Sequence, residues 1–206
     1  MGSEQKMRRF YLTILVLVLT VLVWANWALV SAATEKISSE LLLYMRVAQL
    51  YAAEPDRKLA MPLQDVRKEQ IANTWHALRS ADRLHEGQDI FAPKGTPVLS
   101  ATEGYIYNIG ANNLGGQTVS VIGAGGRVYY YAHLDSYAPG IAVGDHVTTQ
   151  TVLGYVGATG NAAGRPPHLH FGVYTTTGAI NPLPLLSDRA KSGNFSGKQD
   201  RKAKKK

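Results

Sequence analysis

The sequence contains no cysteine among its 206 residues. This absence excludes disulfide bonds, thiolate metal ligands and the cysteine to which a lipid is attached in a lipoprotein. Any metal ion that the chain binds must therefore be held by nitrogen and oxygen donors, chiefly those of histidine and the carboxylates.

The body of the chain also lacks an excess of positive charge, although the formal net charge is +7. Eight Lys/Arg and only two Asp/Glu lie in residues 187–206, so nearly all of the excess belongs to this C-terminal stretch. A nucleic-acid-binding domain usually carries a basic face of its own, and we therefore predict no nucleic-acid partner. The lysine-rich stretch at residues 187–206 is predicted to be a disordered basic tail.

Charge is missing altogether from residues 10–30, which are mostly apolar. About 20 such residues span a bilayer as a helix. Basic residues precede the run, whereas charges of both signs follow it, so we predict a cytoplasmic N-terminus at residues 1–9 and an uncleaved transmembrane anchor at residues 10–32. The alternative is a signal peptide cleaved near Ala32, but the apolar run is longer than the usual signal-peptide core.

Two further regions follow the anchor. Apolar and polar residues alternate with a helical period from residue 38 to 53, and Pro55 stops this pattern, which predicts a helical linker at residues 33–60. From residue 61 to 186, short β-favouring runs are separated by Gly, Asn and Pro clusters, with the plainest hairpin turn at residues 123–126. This pattern predicts an all-β, compact antiparallel domain.

Four of the six histidines and one aspartate form a spaced set that indicates a zinc site for amide hydrolysis. Catalytic zinc usually has three protein ligands and one open position, and further polar groups orient the water and stabilise the oxyanion. Successive side chains alternate in a strand, so the two histidines of the His-x-His pair face the same side. The members of the set are His85, Asp89, His133, His168 and His170. The other two histidines, His76 and His146, are predicted to be structural or exposed.

Several motifs together resemble the lysostaphin-type, or LytM-domain, zinc endopeptidases, in order along residues 61–184. The motifs are Arg83-Leu-His-Glu-Gly-Gln-Asp-Ile-Phe-Ala-Pro-Lys-Gly-Thr-Pro-Val, Tyr131-Ala-His-Leu, Gly154-Tyr-Val-Gly-Ala-Thr-Gly, Pro167-His-Leu-His-Phe and Ile180-Asn-Pro. Two places depart from the common pattern: the loop at residues 161–167 is longer, and Gln117 stands where Asn is frequent.

The resemblance implies a β domain with a substrate groove across its sheet. It implies that His85, Asp89 and His170 are the zinc ligands, and that His133 and His168 polarise the water and steady the tetrahedral intermediate. The groove residues that we expect to contact substrate are Asn161, Arg165 and Tyr131. Members of the family cut peptide bonds in peptidoglycan.

Three functions are therefore considered. The first is a membrane-tethered zinc endopeptidase that acts on stem-peptide cross-links, in the periplasm and anchored in the inner membrane by a single helix. The second is a non-enzymatic LytM-type regulator of another cell-wall hydrolase, for which missing metal ligands would be the usual sign. The third is a binding protein for anionic polymers or lipid headgroups that uses the basic tail. The intact set of candidate ligands favours the first.

Overall fold

The computed structural model describes residues 2–79 and 83–189. Contacts divide the chain into two units, Met1–Ala48 and Gln49–Lys206. Residues 190–206, which include most of the predicted basic tail, lie outside the described residues.

One long helix, α1 (Gly2–Ala52), occupies the N-terminal region. Its segment Met7–Ala52 is long and apolar enough to cross a membrane, and none of its most apolar window is buried within the structure. A signal sequence would meet the same criteria. The predicted linker at residues 33–60 is helical only as far as Ala52, because Pro55 lacks the N–H that a continuing helix needs.

Within its described residues, the second unit contains eleven short strands. Their bounds are β1 (Leu59–Ala60), β2 (Gln88–Phe91), β3 (Pro97–Leu99), β4 (Gly104–Asn112), β5 (Gly116–Gly123), β6 (Val128–Tyr137), β7 (His146–Val147), β8 (Val152–Val156), β9 (His168–Thr175), β10 (Gly178–Ile180) and β11 (Leu186–Ser187). Short 3₁₀ turns cover Lys68–Gln70, Ala124–Gly126 and Gly160–Ala162.

Nine of the strands form one antiparallel sheet, as the sequence predicts. Its main path runs β10-β9-β6-β5-β4-β7, and β2 pairs with β9 while β8 pairs with β3 and β6. The turn between β5 and β6 coincides with the predicted hairpin, since Ile122 pairs with Val128 across it. Among the strands that the structure describes, the exception to the antiparallel pattern is the small parallel pair β1–β11.

The core lies on the faces of the central strands that point away from the histidines. Its largest fully buried side chains include Tyr129, Tyr131 and Phe171, with Leu134 and Leu169 among their neighbours. Burial of such a strand stabilises the fold by roughly 25 cal/mol for each Å² of apolar surface removed from water. The rigid core therefore holds β6 and β9, which carry three of the candidate site histidines.

The domain extends beyond both boundaries predicted from the sequence. Leu59, before the predicted start at residue 61, is fully buried in β1, and Ser187, the first residue of the predicted tail, lies in β11 opposite Ala60. Arg189 donates hydrogen bonds to three backbone carbonyls, those of Met61, Ser100 and Thr149. These contacts join sequence-distant segments, which residue composition alone does not reveal.

Candidate metal centre

Strand β9 presents its two histidines on one face. The flanking Leu169 and Phe171 are fully buried on the other face, so the strand separates polar donors from core side chains as its period of two predicts. His168 and His170 therefore point toward the same open cleft, and the predicted orientation of the pair is confirmed.

Strand β2 brings Asp89 directly opposite His170 in antiparallel register. His85 lies just before this strand, outside any helix, and its Nε2 is 2.8 Å from His170 Nδ1. The Asp89 Oδ1 atom is 3.1 Å from His85 Nε2 and 3.2 Å from His170 Nδ1. Two ligands four residues apart and a third, His170, that lies 81 residues beyond Asp89 thus form a compact triangle.

The donor set of this triangle fits a zinc ion. Bonds of about 2.0–2.1 Å in a tetrahedral site separate ligand atoms by about 3.3 Å. The distances of 2.8 to 3.2 Å between the three atoms are close to this value. Two imidazole nitrogens and one carboxylate oxygen also match the ligands of catalytic zinc, which keeps its remaining position open.

The protonation states of the triangle suit metal binding at neutral pH. Burial raises the pKa of Asp89, but the contacts of its carboxylate with the His170 and His85 rings outweigh this effect and hold the pKa well below its usual range. Burial lowers the pKa of His170. The aspartate is therefore a carboxylate and His170 a neutral imidazole, which are the forms that coordinate a cation.

Close packing around His170 requires glycine at position 87. A Cβ atom on Gly87 would lie 2.5 Å from Cε1 and 2.6 Å from Nε2 of the His170 ring. Atoms this close would force the ring to move, so the absent side chain makes room for a ligand. No spacing pattern in the sequence indicates this contact.

A β-bulge directs His133 into the cleft. Tyr129 and Tyr131 face the core, so strict alternation would send His133 to the core as well. The pairing of β5 with β6 shifts register near His133, whose φ is +63°. A bulge re-aims a side chain in this way, and an unfavourable φ of this kind is common at functional sites.

His133 and His168 lie next to each other beside the triangle. Their ring centroids are 5.0 Å apart, and His168 Nε2 is 3.9 Å from Asp89 Oδ1. Burial, followed by the nearby His170 and His168, lowers the pKa of His133 to about 4. His133 is thus neutral at pH 7, with one ring nitrogen able to accept a proton.

Backbone carbonyls fix the orientation of three of the four histidine rings. The Nδ1 atoms of His85, His133 and His168 lie 2.7, 2.9 and 2.8 Å from the carbonyl oxygens of Thr74, Thr159 and Pro166, respectively. In a neutral imidazole such a contact assigns the proton to Nδ1 and makes Nε2 the acceptor. Nε2 of His85 can then bind a metal ion, while Nε2 of His133 and His168 can take part in proton transfer.

Two of the three predicted substrate contacts line the cleft, and the third does not. Asn161 and Arg165 are exposed on its wall. Tyr131 is fully buried, and its hydroxyl accepts a hydrogen bond from the Ala101 N–H, so the prediction that it contacts substrate is wrong. Its neighbour Tyr130 lines the cleft instead, because adjacent residues of a strand face opposite sides.

The cleft contains further polar residues that the sequence analysis did not single out. Arg79 and Arg83 lie on one wall, together with Glu86 and Tyr174. Arg79 Nη2 donates to Asp89 Oδ2 at 2.5 Å. These contacts depend on loop conformation and carry no recognisable spacing in the sequence.

The two remaining histidines lie away from the triangle. His76 is exposed and stacks on Trp75, with ring centroids 4.4 Å apart. His146 contacts the Glu103 carboxylate at 3.1 Å, also at the surface. The prediction that both are structural or exposed is confirmed.

A β-sheet cleft that combines a compact ligand triangle with two further histidines is typical of hydrolytic metalloenzymes, and defines a metallopeptidase-like domain. Residues 83–182 match the model for peptidase family M23. Residues 83–182 therefore form a domain of this metallopeptidase family. The family resemblance predicted from the motifs is therefore confirmed.

Known relatives support this membership. The chain is 34% identical over 154 residues to the L-Ala--D-Glu endopeptidase of Bacillus subtilis, covering 69% of this chain and 47% of the relative. It is 36% identical over 119 residues to the DD-carboxypeptidase/endopeptidase Mpg of Neisseria meningitidis serogroup B, covering 58% of this chain and 25% of the relative. The chain spans less than half the length of these two curated relatives.

The fold is also found in a solved structure. The catalytic domain of the antimicrobial peptidase lysostaphin from Staphylococcus simulans is similar with a TM-score of 0.50 and 28% sequence identity. The match covers 57% of this chain and 92% of that domain. The predicted antiparallel β domain is therefore a lysostaphin-like peptidase fold.

Proposed function

We propose that this protein is a zinc-dependent endopeptidase that hydrolyses peptide bonds of peptidoglycan outside the cytoplasmic membrane. The observation that carries the proposal is the triangle of His85 Nε2, Asp89 Oδ1 and His170 Nδ1, with edges of 2.8 to 3.2 Å. Membership of a peptidase family and relatives named as endopeptidases support a hydrolytic role for it.

His85, Asp89 and His170 would hold the zinc ion. Zinc bound there would polarise the scissile carbonyl and lower the pKa of water from about 15.7 to about 7. His133 and His168 flank this position, and the low pKa of His133 keeps it neutral and able to accept a proton.

The two flanking histidines transfer the protons of the reaction. Water adds to the carbonyl carbon, and a neutral imidazole takes up the proton that the water releases. The C–N bond then breaks, and the resulting imidazolium donates a proton to the departing amine. We assign His133 and His168 as the proton-transfer pair because both flank the ligand triangle. Each such group typically contributes about 10²–10⁴-fold to the rate.

The charge of the cleft favours an anionic stem peptide over an uncharged glycine bridge. Within residues 2–79 and 83–189, the side chains of Arg83 and Arg165 make no hydrogen bond or ion pair with the protein, and both are exposed on the cleft wall. Guanidinium groups bind carboxylates with paired hydrogen bonds. We assign Arg165 and Asn161 to substrate binding and name stem-peptide cross-links as the substrate.

Helix α1 is proposed as a single-pass inner-membrane anchor. Lys6, Arg8 and Arg9 precede the apolar run, which by the positive-inside rule puts the N-terminus in the cytoplasm and the peptidase domain in the periplasm. The non-enzymatic alternative, a regulator of another hydrolase, is not favoured, because the residues of a complete ligand set are present.

The direct test is to incubate the full-length protein, in detergent and loaded with zinc, with purified cross-linked muropeptides. We expect mass spectrometry to detect one new amine and one new carboxyl terminus at a single type of bond. The matched control is His168→Ala, which should bind zinc and cut at least about 100-fold more slowly. Intact muropeptides with the zinc-loaded parent protein would reject the proposal, and parental rates for His168→Ala would reject the assignment of that histidine.

A further inference from the structure

The segment that precedes the matched family domain surrounds two of the candidate metal ligands. We define the flanking segment as residues 72–79; the family match begins only at residue 83. Residues 80–82, which follow the flanking segment in the sequence, lie outside the described part of the chain. The flanking segment contacts both the backbone and the side chain of His85 and of Asp89.

The flanking segment holds His85 at three points. The backbone N–H of His85 donates to the Ala77 carbonyl at 3.0 Å, and the His85 carbonyl accepts from the His76 N–H at 2.9 Å. The ring Nδ1 lies 2.7 Å from the Thr74 carbonyl oxygen. Backbone and ring are therefore both fixed, and Nε2 remains directed at the other two ligand atoms.

The same segment holds Asp89 at two points. The Thr74 hydroxyl accepts a hydrogen bond from the Asp89 backbone N–H at 2.9 Å. The Arg79 guanidinium binds Oδ2 of the carboxylate, while Oδ1 faces the two histidines. A carboxylate rotates readily about its Cβ–Cγ bond, and the arginine contact selects the oxygen that is left for the metal ion.

Residues that orient metal ligands from outside contribute to affinity, and losing one typically weakens metal binding by about 10–100-fold. We infer that Thr74 and Arg79 are positioning residues for the metal centre, acting through Asp89 and setting its affinity for zinc. This inference rests on the proposed zinc-dependent function, and its test measures zinc binding without any substrate.

The direction in which zinc affinity changes distinguishes positioning of the Asp89 carboxylate from a simple effect of charge. A guanidinium near a cation-binding site repels the cation, so removal of its charge alone would strengthen zinc binding. Loss of carboxylate positioning would weaken it. Arg79 is only 26% exposed, whereas Arg83 is exposed in the same cleft and has no hydrogen bond to Asp89 among the described residues. Arg83→Gln is therefore a charge-matched control for Arg79→Gln.

The experiment compares zinc dissociation constants of full-length variants in detergent by competition with a chromogenic chelator. We expect Arg79→Gln to bind zinc about tenfold more weakly than the parent and Arg79→Lys to recover part of this loss, because lysine keeps one donor. Arg83→Gln should stay within about twofold. Zinc affinity of Arg79→Gln equal to or above the parent's, or equal losses in Arg79→Gln and Arg83→Gln, would overturn the inference.

A threonine pair tests the second contact. Thr74→Val removes the hydroxyl but keeps the carbonyl and the side-chain shape, and we expect zinc binding about tenfold weaker. Thr159→Val is the matched control, because its hydroxyl bonds to the Gln117 N–H and the Leu134 carbonyl and its carbonyl holds His133. Thr159→Val should bind zinc as the parent does; unaltered affinity in Thr74→Val contradicts the inference. A parent protein that binds no zinc would instead reject the proposed function itself.

Discussion

Alanine at position 87 should displace a candidate metal ligand without removing any polar group. The added Cβ would lie 2.5 Å from His170 Cε1, whereas ordinary contacts between carbon atoms are about 3.5–4.0 Å. Relief of the overlap requires a shift of about 1 Å between residue 87 and the ring. The backbone of Gly87 is confined as well, since the carbonyl oxygen of Phe171 would lie 3.0 Å from the same Cβ.

A shift of this size exceeds what a zinc site tolerates. Bond lengths in such sites vary by about 0.2 Å, so His170 Nδ1 would leave bonding distance while the other two ligands stayed in place. We expect Gly87→Ala to weaken zinc binding by on the order of 100-fold, the upper end of the range for a disturbed ligand environment.

The assay is zinc affinity by chelator competition, with circular dichroism to check that the variant is folded. Gly110→Ala is the matched control, because the nearest atom to its added Cβ is 3.9 Å away, and it should bind zinc like the parent. A folded Gly87→Ala protein with parental zinc affinity would show that His170 is not held as the structure indicates.

Three other changes probe the core, the cleft and the pH dependence. Tyr131→Phe leaves the Ala101 N–H without its hydrogen-bond partner and should lower the free energy of unfolding, measured by urea denaturation, by about 1–3 kcal/mol. The rate of substrate cleavage should not change. Slower cleavage with parental stability would show that Tyr131 does contact substrate. Arg165→Gln should raise KM about tenfold for stem peptides with free carboxylates and leave KM for their amidated forms unchanged, and equal effects on both would refute carboxylate binding. The His133 pKa of about 4, against an ordinary 6.5, means that the unfolded chain binds a proton between these pH values that the folded chain does not. His133 should therefore not affect the stability of the metal-free protein above pH 6.5, and its protonation should lower that stability by roughly 3 kcal/mol on acidification toward pH 4. The stability of His133→Gln should fall less steeply over the same range. Identical pH profiles for the parent and His133→Gln would refute the assigned pKa shift.

The sequence was sufficient to predict which side chains converge, but not how they are held. The period of two in a strand predicted that His168 and His170 share a face. This prediction depends on local geometry, which is why it could be made without a structure.

Long-range contacts account for what was missed. The bulge at His133 depends on the pairing of β5 with β6, and the same strand's alternation assigns Tyr130 rather than Tyr131 to the cleft. The contacts of Thr74 and Arg79 with Asp89 join a loop to a strand 15 and 10 residues further along the chain. No composition or spacing rule encodes these pairings, because each depends on the path of the backbone between the partners.

The domain limits were missed for the same reason. Leu59 and Ser187 belong to the parallel strand pair β1–β11, which joins the two ends of the domain. Two-residue strands are too short to leave a hydrophobic period in the sequence, and the polar composition after Pro184 suggested a tail from residue 187. Arg189 looks like the first basic residue of that tail but binds three carbonyls of the domain.

The most direct test of the metal centre is the zinc content of purified, dialysed variants, measured by mass spectrometry of the metal. We predict about one zinc per chain for the parent, for His133→Ala and for His168→Ala, and less than about a tenth for His85→Ala, Asp89→Ala and His170→Ala. Zinc retained in full by any of the last three variants, or absent from the parent, would contradict the account.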